Sequence, residues 1–267
     1  MLHNANGHTV GPVEHALSAL SGIGVDNAEI VLDGPELPLL DGSALPIVSK
    51  LIRHGIRFLP MPRDMLIVRR PVQVHLDGAW AALHPDTRQR LSLNMDRSRS
   101  AGSGDALSLV LTPADYVRDI APARAYGIGE SEWRRQRMQD VAEDDHTEAC
   151  IDDAGVRFTD EFIRHKALDI VGILALLGAP VIGHLHAARP SHRLIVELIR
   201  TLMNDRTAWE HVTAMSYLDR HGPPVDPGLH RTSEAEDEKA IDGMQGSGYD
   251  GTAWLNVMLR MLSRARR

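Results

Sequence analysis

Apolar positions recur along this chain at two periods, and each change of period marks an element. Val13, Ala16, Leu17, Leu20 and Ile23 fall on one helical face, and Gly22 and Gly24 close that segment. Residues 28–32 are a short apolar run before Asp33-Gly34-Pro35, which predicts a strand and a turn. A second run, 37–40, ends at Asp41-Gly42, and a helix is predicted from Ser43 or Ala44 to His54, stopped by Gly55. Pro60-Met61-Pro62 reads as a linker. Beyond it, residues 65–68, 72–76 and 80–83 read as short strands with Asp77-Gly78 as a hairpin turn, and 91–95 and 107–111 as further strands.

The strongest predicted helix covers 159–177. Phe162, Ile163, Leu168, Ile170, Val171, Leu174 and Leu177 cover most of its circumference, Thr159 or Asp160 can cap its start, and Gly178 ends it. Val181-Ile182 begins a strand, 193–203 is an amphipathic helix, and Trp209 anchors a turn or short helix. A polar helix is expected at 131–140, an acidic exposed loop at 143–146, a charged loop at 231–238 and a terminal helix at 254–262. Helix and strand segments in both halves leave room for two units of similar size.

Composition narrows the function. At 267 residues and 43% hydrophobic, the chain can bury one large core or two smaller ones. A net charge of −7 gives no basic field for nucleic acid or an anionic membrane, and the short arginine clusters read as solvated faces. Cys150 is the lone cysteine, which excludes an intrachain disulfide and a cysteine-rich zinc site. The first residues lack the basic start and apolar core of a signal peptide, and the longest apolar run, 167–182, is interrupted by Asp169, Gly172, Gly178 and Pro180. A cytoplasmic protein with no transmembrane segment is the expectation.

Any metal must therefore use imidazole and carboxylate. His165 and Asp169 lie four apart on the strongest helix and project from one face, as two ligands of one ion or as an ordinary surface hydrogen bond. Asp169 stands among Leu168, Ile170, Val171 and Leu174, where an unpaired carboxylate is costly to bury. Glu14-His15 opens an apolar helix, with Glu14 either complementing the helix dipole or serving chemistry. His192, after Arg189-Pro190-Ser191, is a surface histidine or a further catalytic group. Two histidines and an aspartate leave one zinc position for water, a neighbouring carboxylate can take its proton, and a protonated histidine can stabilise the oxyanion or protonate a leaving amine.

At these residues the sequence resembles the UDP-3-O-acyl-N-acetylglucosamine deacetylase family, zinc enzymes of lipid A synthesis. The first matching string is Val13-Glu14-His15-Ala16-Leu17-Ser18-Ala19-Leu20, continuing through Gly24-Val25-Asp26-Asn27-Ala28 and resuming at Asp33-Gly34-Pro35-Glu36-Leu37-Pro38 and Asp41-Gly42-Ser43-Ala44. The second is Asp160-Glu161-Phe162-Ile163-Arg164-His165-Lys166-Ala167-Leu168-Asp169, followed by Leu176-Leu177-Gly178 and Ile182-Gly183. Weaker matches are Ala123-Arg124-Ala125-Tyr126-Gly127, the 189–192 corner and Ala208-Trp209-Glu210, so the resemblance runs from about residue 8 to about 215.

The resemblance implies zinc ligands His15, His165 and Asp169, a general base Glu14, an electrostatic or acid histidine His192, and Lys166 in substrate binding. It implies an α+β fold of two similar layered domains, helices packed on mostly antiparallel sheets, with the active site between them. Family members carry several strands before the first histidine motif, whereas 14 residues precede His15 here. The expected organisation is a partial first deacetylase domain over 1–60, a second over 61–215 and an extension over 216–267. Self-association is expected through the incomplete first domain or the terminal helix around Trp254, Met258, Met261 and Leu262. Ala125 stands where the family has a threonine that assists the oxyanion, and Tyr126 where it has a phenylalanine. Ile173 replaces an aspartate that supports the spare histidine, and Arg189 replaces a lysine. The family loop shaping the acyl-chain passage is not recognisable in 141–150. The expected function is zinc-dependent hydrolysis of an N-acetyl group on a UDP-amino-sugar. The alternatives are a deacetylase of another N-acylated metabolite and a catalytically degenerate relative that binds its ligand without turnover.

Overall fold

Alternation of apolar and polar side chains in the middle of the chain resolves into one mixed sheet. In the computed structural model, which describes residues 1–95, 106–125 and 156–221, β1 (Leu2–His3) and β2 (Thr9–Val10) form a small antiparallel pair apart from it. The main sheet has seven strands: β3 (Asp64–Val68), β4 (Val72–Leu76), β5 (Ala79–His84), β6 (Gln89–Asn94), β7 (Ala106–Val110), β8 (Val181–Ala188) and β9 (Trp209–Thr213). The others assemble on β8. β5 runs antiparallel to its second half, β6 runs parallel along most of it, and β3 lies parallel to its first two residues. β4, β7 and β9 extend these as antiparallel neighbours of β5, β6 and β3. The β4–β5 hairpin turns through Asp77 (φ 50°) and Gly78 (φ 73°), the two left-handed residues that a tight hairpin needs and that Asp-Gly supplies cheaply.

The helices are α1 (Glu14–Gly22), α2 (Leu45–His54), α3 (Pro113–Asp115) continued by a π-helical turn (Tyr116–Ile120), α4 (Glu161–Leu174), α5 (His192–Asn204) and α6 (Ala214–His221). α4 is buried nearly all round. α1, α5 and the strands β6 and β7 pack on it, and its Ile163, Ala167, Leu168, Ile170, Val171 and Leu174 share one core with Leu91, Leu93 and Leu185 of the sheet. A helix with apolar residues on every side must lie inside, and it does. Together these elements make an α+β fold, as expected from the sequence.

Two close approaches seat α1, one against α4 and one against the π-helical turn. A Cβ at Gly172 would fall on the carbonyl oxygen of Glu14, and a Cβ at Gly22 on the ring of Tyr116. Ser18, one turn before Gly22, shares a 2.9 Å hydrogen bond with the Tyr116 hydroxyl, and both groups are buried. The backbones of α1 and α4 touch where glycine leaves room.

Three local readings differ from the structure. Residues 28–32 form no strand. Ile30 and Val31 are exposed (46% and 84%), and no strand among the described residues pairs with the run. Trp209 opens β9 rather than a turn or short helix, since Val68, distant in sequence, supplies its partner backbone. Asp160 precedes α4 without capping it: its carboxylate accepts from Arg164 Nε at 2.7 Å instead. The readings at 131–140, 143–146, 231–238 and 254–262 lie outside the described residues. Among the described residues, no helix is long and apolar enough to cross a membrane.

Along β8 every second residue faces the helices, and Ile182, His184, His186 and Ala188 face the other way. Burial, then the neighbouring His186, pushes His184 down to about 4, and burial, then His84, lowers His186. Between about pH 4 and 6.5 the unfolded chain therefore binds more protons than the folded one, so stability falls as pH drops through that window. Denaturant midpoints measured across it are expected to decline less steeply in His184→Gln/His186→Gln than in the parent. Gly172→Ala is expected to lower stability by about 1–3 kcal/mol through overpacking, although alanine ordinarily favours a helix interior by about 1 kcal/mol. A denaturant titration in which this variant is unchanged or stabilised would remove the close crossing of α1 and α4.

Candidate metal centre

Because α1 crosses α4 at Gly172, the side chains one turn to either side are brought face to face. His15 Nε2 lies 3.7 Å from Asp169 Oδ1, and His165 Nε2 lies 3.4 Å from the same oxygen. The two imidazole rings meet edge to face with centroids 4.9 Å apart. One donor atom from each of His15, His165 and Asp169 lies within 4.8 Å of the other two, and all three residues are buried. The other carboxylate oxygen, Asp169 Oδ2, faces Lys166 Nζ at 3.5 Å and His192 Nε2 at 3.3 Å. Asp169 thus turns one oxygen to two imidazoles and the other to two cationic or protonatable groups. Ile173 offers no carboxylate to His192, and Asp169 Oδ2 is the oxygen opposite that ring.

Local structure sets each of these side chains. His165 Nδ1 donates to the carbonyl of Ala123 at 3.1 Å. A carbonyl only accepts, so the proton sits on Nδ1 and the Nε2 lone pair points at Asp169. The Ala123 segment is itself pinned. Glu161 Oε1 accepts from Arg124 N and Nε, each at 3.0 Å, Glu161 Oε2 accepts from Arg157 N at 2.6 Å, and Ala125 N donates to Gly42 O at 2.8 Å. Arg124 and Glu161 are 2% and 0% exposed, a buried ion pair placed one turn before His165. Arg157 also reaches Asp41 Oδ2 at 2.8 Å, joining the 41–43 turn to the start of α4. Glu14 stands at the first position of α1, and its Oε2 accepts from Val13 N at 2.9 Å. His192 opens α5 just after Ser191, whose hydroxyl accepts from Leu194 N at 3.2 Å as the cap of that helix.

All six residues singled out in the sequence are therefore placed: His15, His165, Asp169, Lys166 and His192 converge, and Glu14 adjoins His15. Sequence reasoning missed Arg124, Glu161 and Gly172. Arg124 and Glu161 lie in matched strings without an assigned role, and the available signal was an acidic residue in the first turn of an otherwise apolar helix. Arg189 sits with φ 52°, its backbone N–H on Asn94 O and its guanidinium on the Gly78 carbonyl of the hairpin. Ala125 is fully buried and offers no hydroxyl.

The electrostatics suit a cation. Burial foremost, then the nearby His165, pushes His15 down to about 4, against opposing pulls from Asp169 and Glu14. Burial alone would raise Asp169, but His165, Lys166 and His192 hold its carboxyl well below the usual carboxylate range. At neutral pH the centre thus holds an ionised carboxylate beside a neutral imidazole. Among the described residues, neither ring nitrogen of His15 has a hydrogen-bond partner, although both are buried. Buried lone pairs facing one another at 3.4–3.7 Å are unfavourable without a positive charge between them. Donors about 3.3 Å apart are what a tetrahedral ion with bonds of about 2 Å requires. The residues fit zinc.

Residues 1–204 match the family UDP-3-O-acyl N-acetylglycosamine deacetylase (LpxC). Among curated proteins, the chain is 35% identical to the UDP-3-O-acyl-N-acetylglucosamine deacetylase of Myxococcus xanthus (strain DK1622), over 78% of this chain and 69% of that one. The deacetylases of the same name from Acidithiobacillus ferrooxidans and Vibrio cholerae are 33% and 32% identical, over 82% and 84% of this chain and 74% and 75% of theirs.

Arg124→Met leaves the Glu161 carboxylate buried without its guanidinium and is expected to cost about 3–5 kcal/mol, read from denaturant unfolding. Arg124→Met/Glu161→Gln is expected to recover part of that loss. Equal stability of the single and double variants would rule out a paired charge as the element's anchor.

Proposed function

From the premise that this chain belongs to the UDP-3-O-acyl N-acetylglycosamine deacetylase family, we propose that it is a zinc-dependent deacetylase that removes the N-acetyl group of a UDP-3-O-acyl-amino-sugar. The observation carrying this reading is the meeting of His15, His165 and Asp169, drawn from two remote helices into one buried donor set. On this reading, His15, His165 and Asp169 would hold the metal. A zinc ion held there would supply Lewis acidity, which would make water acidic near neutral pH and polarise the acyl carbonyl.

Every other part of the chemistry falls to the chain. Glu14, next to His15 at the open end of α1, accepts a proton from the attacking water and passes it to the departing amine nitrogen. Lys166 and His192 donate N–H bonds to the negative charge that develops on the acyl oxygen, and both already face the side of Asp169 turned away from the two imidazoles. Asp169 holds those two groups in place by charge. The products are acetate and a free amino sugar, so atoms balance with one water consumed. The ligand is a small nucleotide sugar rather than nucleic acid, in keeping with a net charge of −7. A lone cysteine suits a reducing cytoplasm.

A second reading has one specific observation in its favour. Ala125 supplies no hydroxyl where the resemblance calls for a threonine, and removal of one oxyanion donor typically costs about 100- to 1,000-fold in turnover. On this reading the chain binds the nucleotide sugar without useful turnover. Metal analysis and a deacetylation assay with UDP-3-O-acyl-N-acetylglucosamine separate the two. The deacetylase reading expects stoichiometric zinc, lost in His165→Ala, and hydrolysis that falls about 10²- to 10⁴-fold in Glu14→Ala with zinc content kept. Hydrolysis at background in the zinc-loaded parent, with binding retained and Glu14→Ala indistinguishable from it, would replace it with the second reading.

A further inference from the structure

The sheet face turned away from α4 and α5 carries a second group of imidazoles. His184 and His186 alternate onto that face of β8, and the antiparallel register of β5 sets His84 directly opposite His184. The His184 and His186 rings lie with centroids 3.6 Å apart, and His84 meets His186 edge to face at 5.4 Å. Two histidines at i and i+2 on one strand, with a third on its neighbour, direct three nitrogens to one side of a rigid surface. We propose that His84, His184 and His186 form a second metal site, which takes a divalent cation of the zinc class through three imidazoles and leaves one position open.

The hydrogen bonds already arrange two of the donors. Ser92 Oγ lies 2.8 Å from His184 Nε2 and 2.9 Å from Ser108 Oγ. With the Ser92 hydroxyl donating to Ser108, it accepts from His184 Nε2–H, which leaves the lone pair of His184 on Nδ1. That atom lies 2.9 Å from His186 Nε2, so the two nitrogens share one proton. A divalent ion replaces that proton when the pair opens to the roughly 3.3 Å separation of two ligands on one tetrahedral ion. Ser92 then plays for His184 the part that Ala123 plays for His165, fixing the tautomer from behind. His84 is exposed and meets His186 edge to face, and its ring must turn to bring a nitrogen onto the third position. Arg90, the one cation in the same cross-strand row, is held by Asp86 at 3.3 Å. Ala82, which pairs with His186 in the next row, adds only a methyl group beside it.

This site shares no residue with the first, so the two can be counted separately. Untagged full-length chain is dialysed to equilibrium against micromolar free zinc and its metal content measured for the parent, His165→Ala and His184→Gln/His186→Gln. The expected result is a second equivalent of zinc in the parent, one equivalent kept in each variant, and deacetylation unchanged in the His184→Gln/His186→Gln chain. Copper loaded into His165→Ala is expected to show an electron paramagnetic resonance spectrum with imidazole nitrogen couplings, lost on His84→Gln/His184→Gln. Zinc content in His184→Gln/His186→Gln equal to the parent's, or a copper spectrum untouched by His84→Gln/His184→Gln, would overturn the proposal. A single parental equivalent lost in His165→Ala would overturn it as well. A single equivalent lost only in the sheet variant would uphold it and count against the metal assignment at His165. Far-ultraviolet circular dichroism and melting of each variant confirm that lost metal reflects lost ligands rather than a lost fold.

Discussion

The arrangement depends on a backbone contact. α1 lies so close to α4 that the Glu14 carbonyl occupies the space a side chain at Gly172 would take, and the position of His15 follows from that contact. Gly172 lies three residues beyond Asp169 and seven beyond His165, on the same helical face, so the crossing point and the donor atoms are consecutive turns of one stripe. Tyr116 repeats the arrangement farther along α1, its ring filling the space over Gly22 and its hydroxyl meeting Ser18. Gly172 thus sets a distance that histidine and aspartate then use, while Gly22 and Tyr116 seat the far end of α1.

What that geometry encloses is a charge problem solved by position. A single buried carboxylate serves four partners, two imidazoles on one oxygen and a lysine and a histidine on the other. Desolvation would protonate it, and its surroundings prevent that. The same burial keeps His15 neutral, so the centre holds lone pairs and one negative charge, the donor character that zinc accepts. The buried Arg124–Glu161 pair stands behind it, holding the carbonyl that fixes the His165 tautomer. Such a pair adds little net stability but is costly to break singly, which makes it a device for position.

β8 shows the same economy from the other side. Strict alternation buries Val181, Gly183, Leu185 and Ala187 under the helices and turns His184 and His186 outward. One strand therefore contributes both to the core beneath the first site and to the imidazole group on the far face, and neighbours on either side fix its register.

Much of this was legible in the order of residues. The helices carrying His15 and His165, the hairpin at Asp77-Gly78, the strands β3 to β7 and the pairing of His165 with Asp169 all follow from local periodicity, because each involves residues a few positions apart on one element. Glu14 and His192 were candidates from their place in the chain, and the family strings gave them roles and added Lys166. Local pattern failed where a partner from elsewhere decides the outcome: residues 28–32 have strand character but, among the described residues, no strand to pair with, and Trp209 became a strand because Val68 lies beside it. The sequence by itself determined which residues can offer lone pairs and which helix faces present them. Only the tertiary structure decided that His15 and Asp169 meet, that Ala123 orients His165, and that three outward histidines share one patch. Those are contacts between chain segments far apart in sequence, and packing, not periodicity, sets the distances between them.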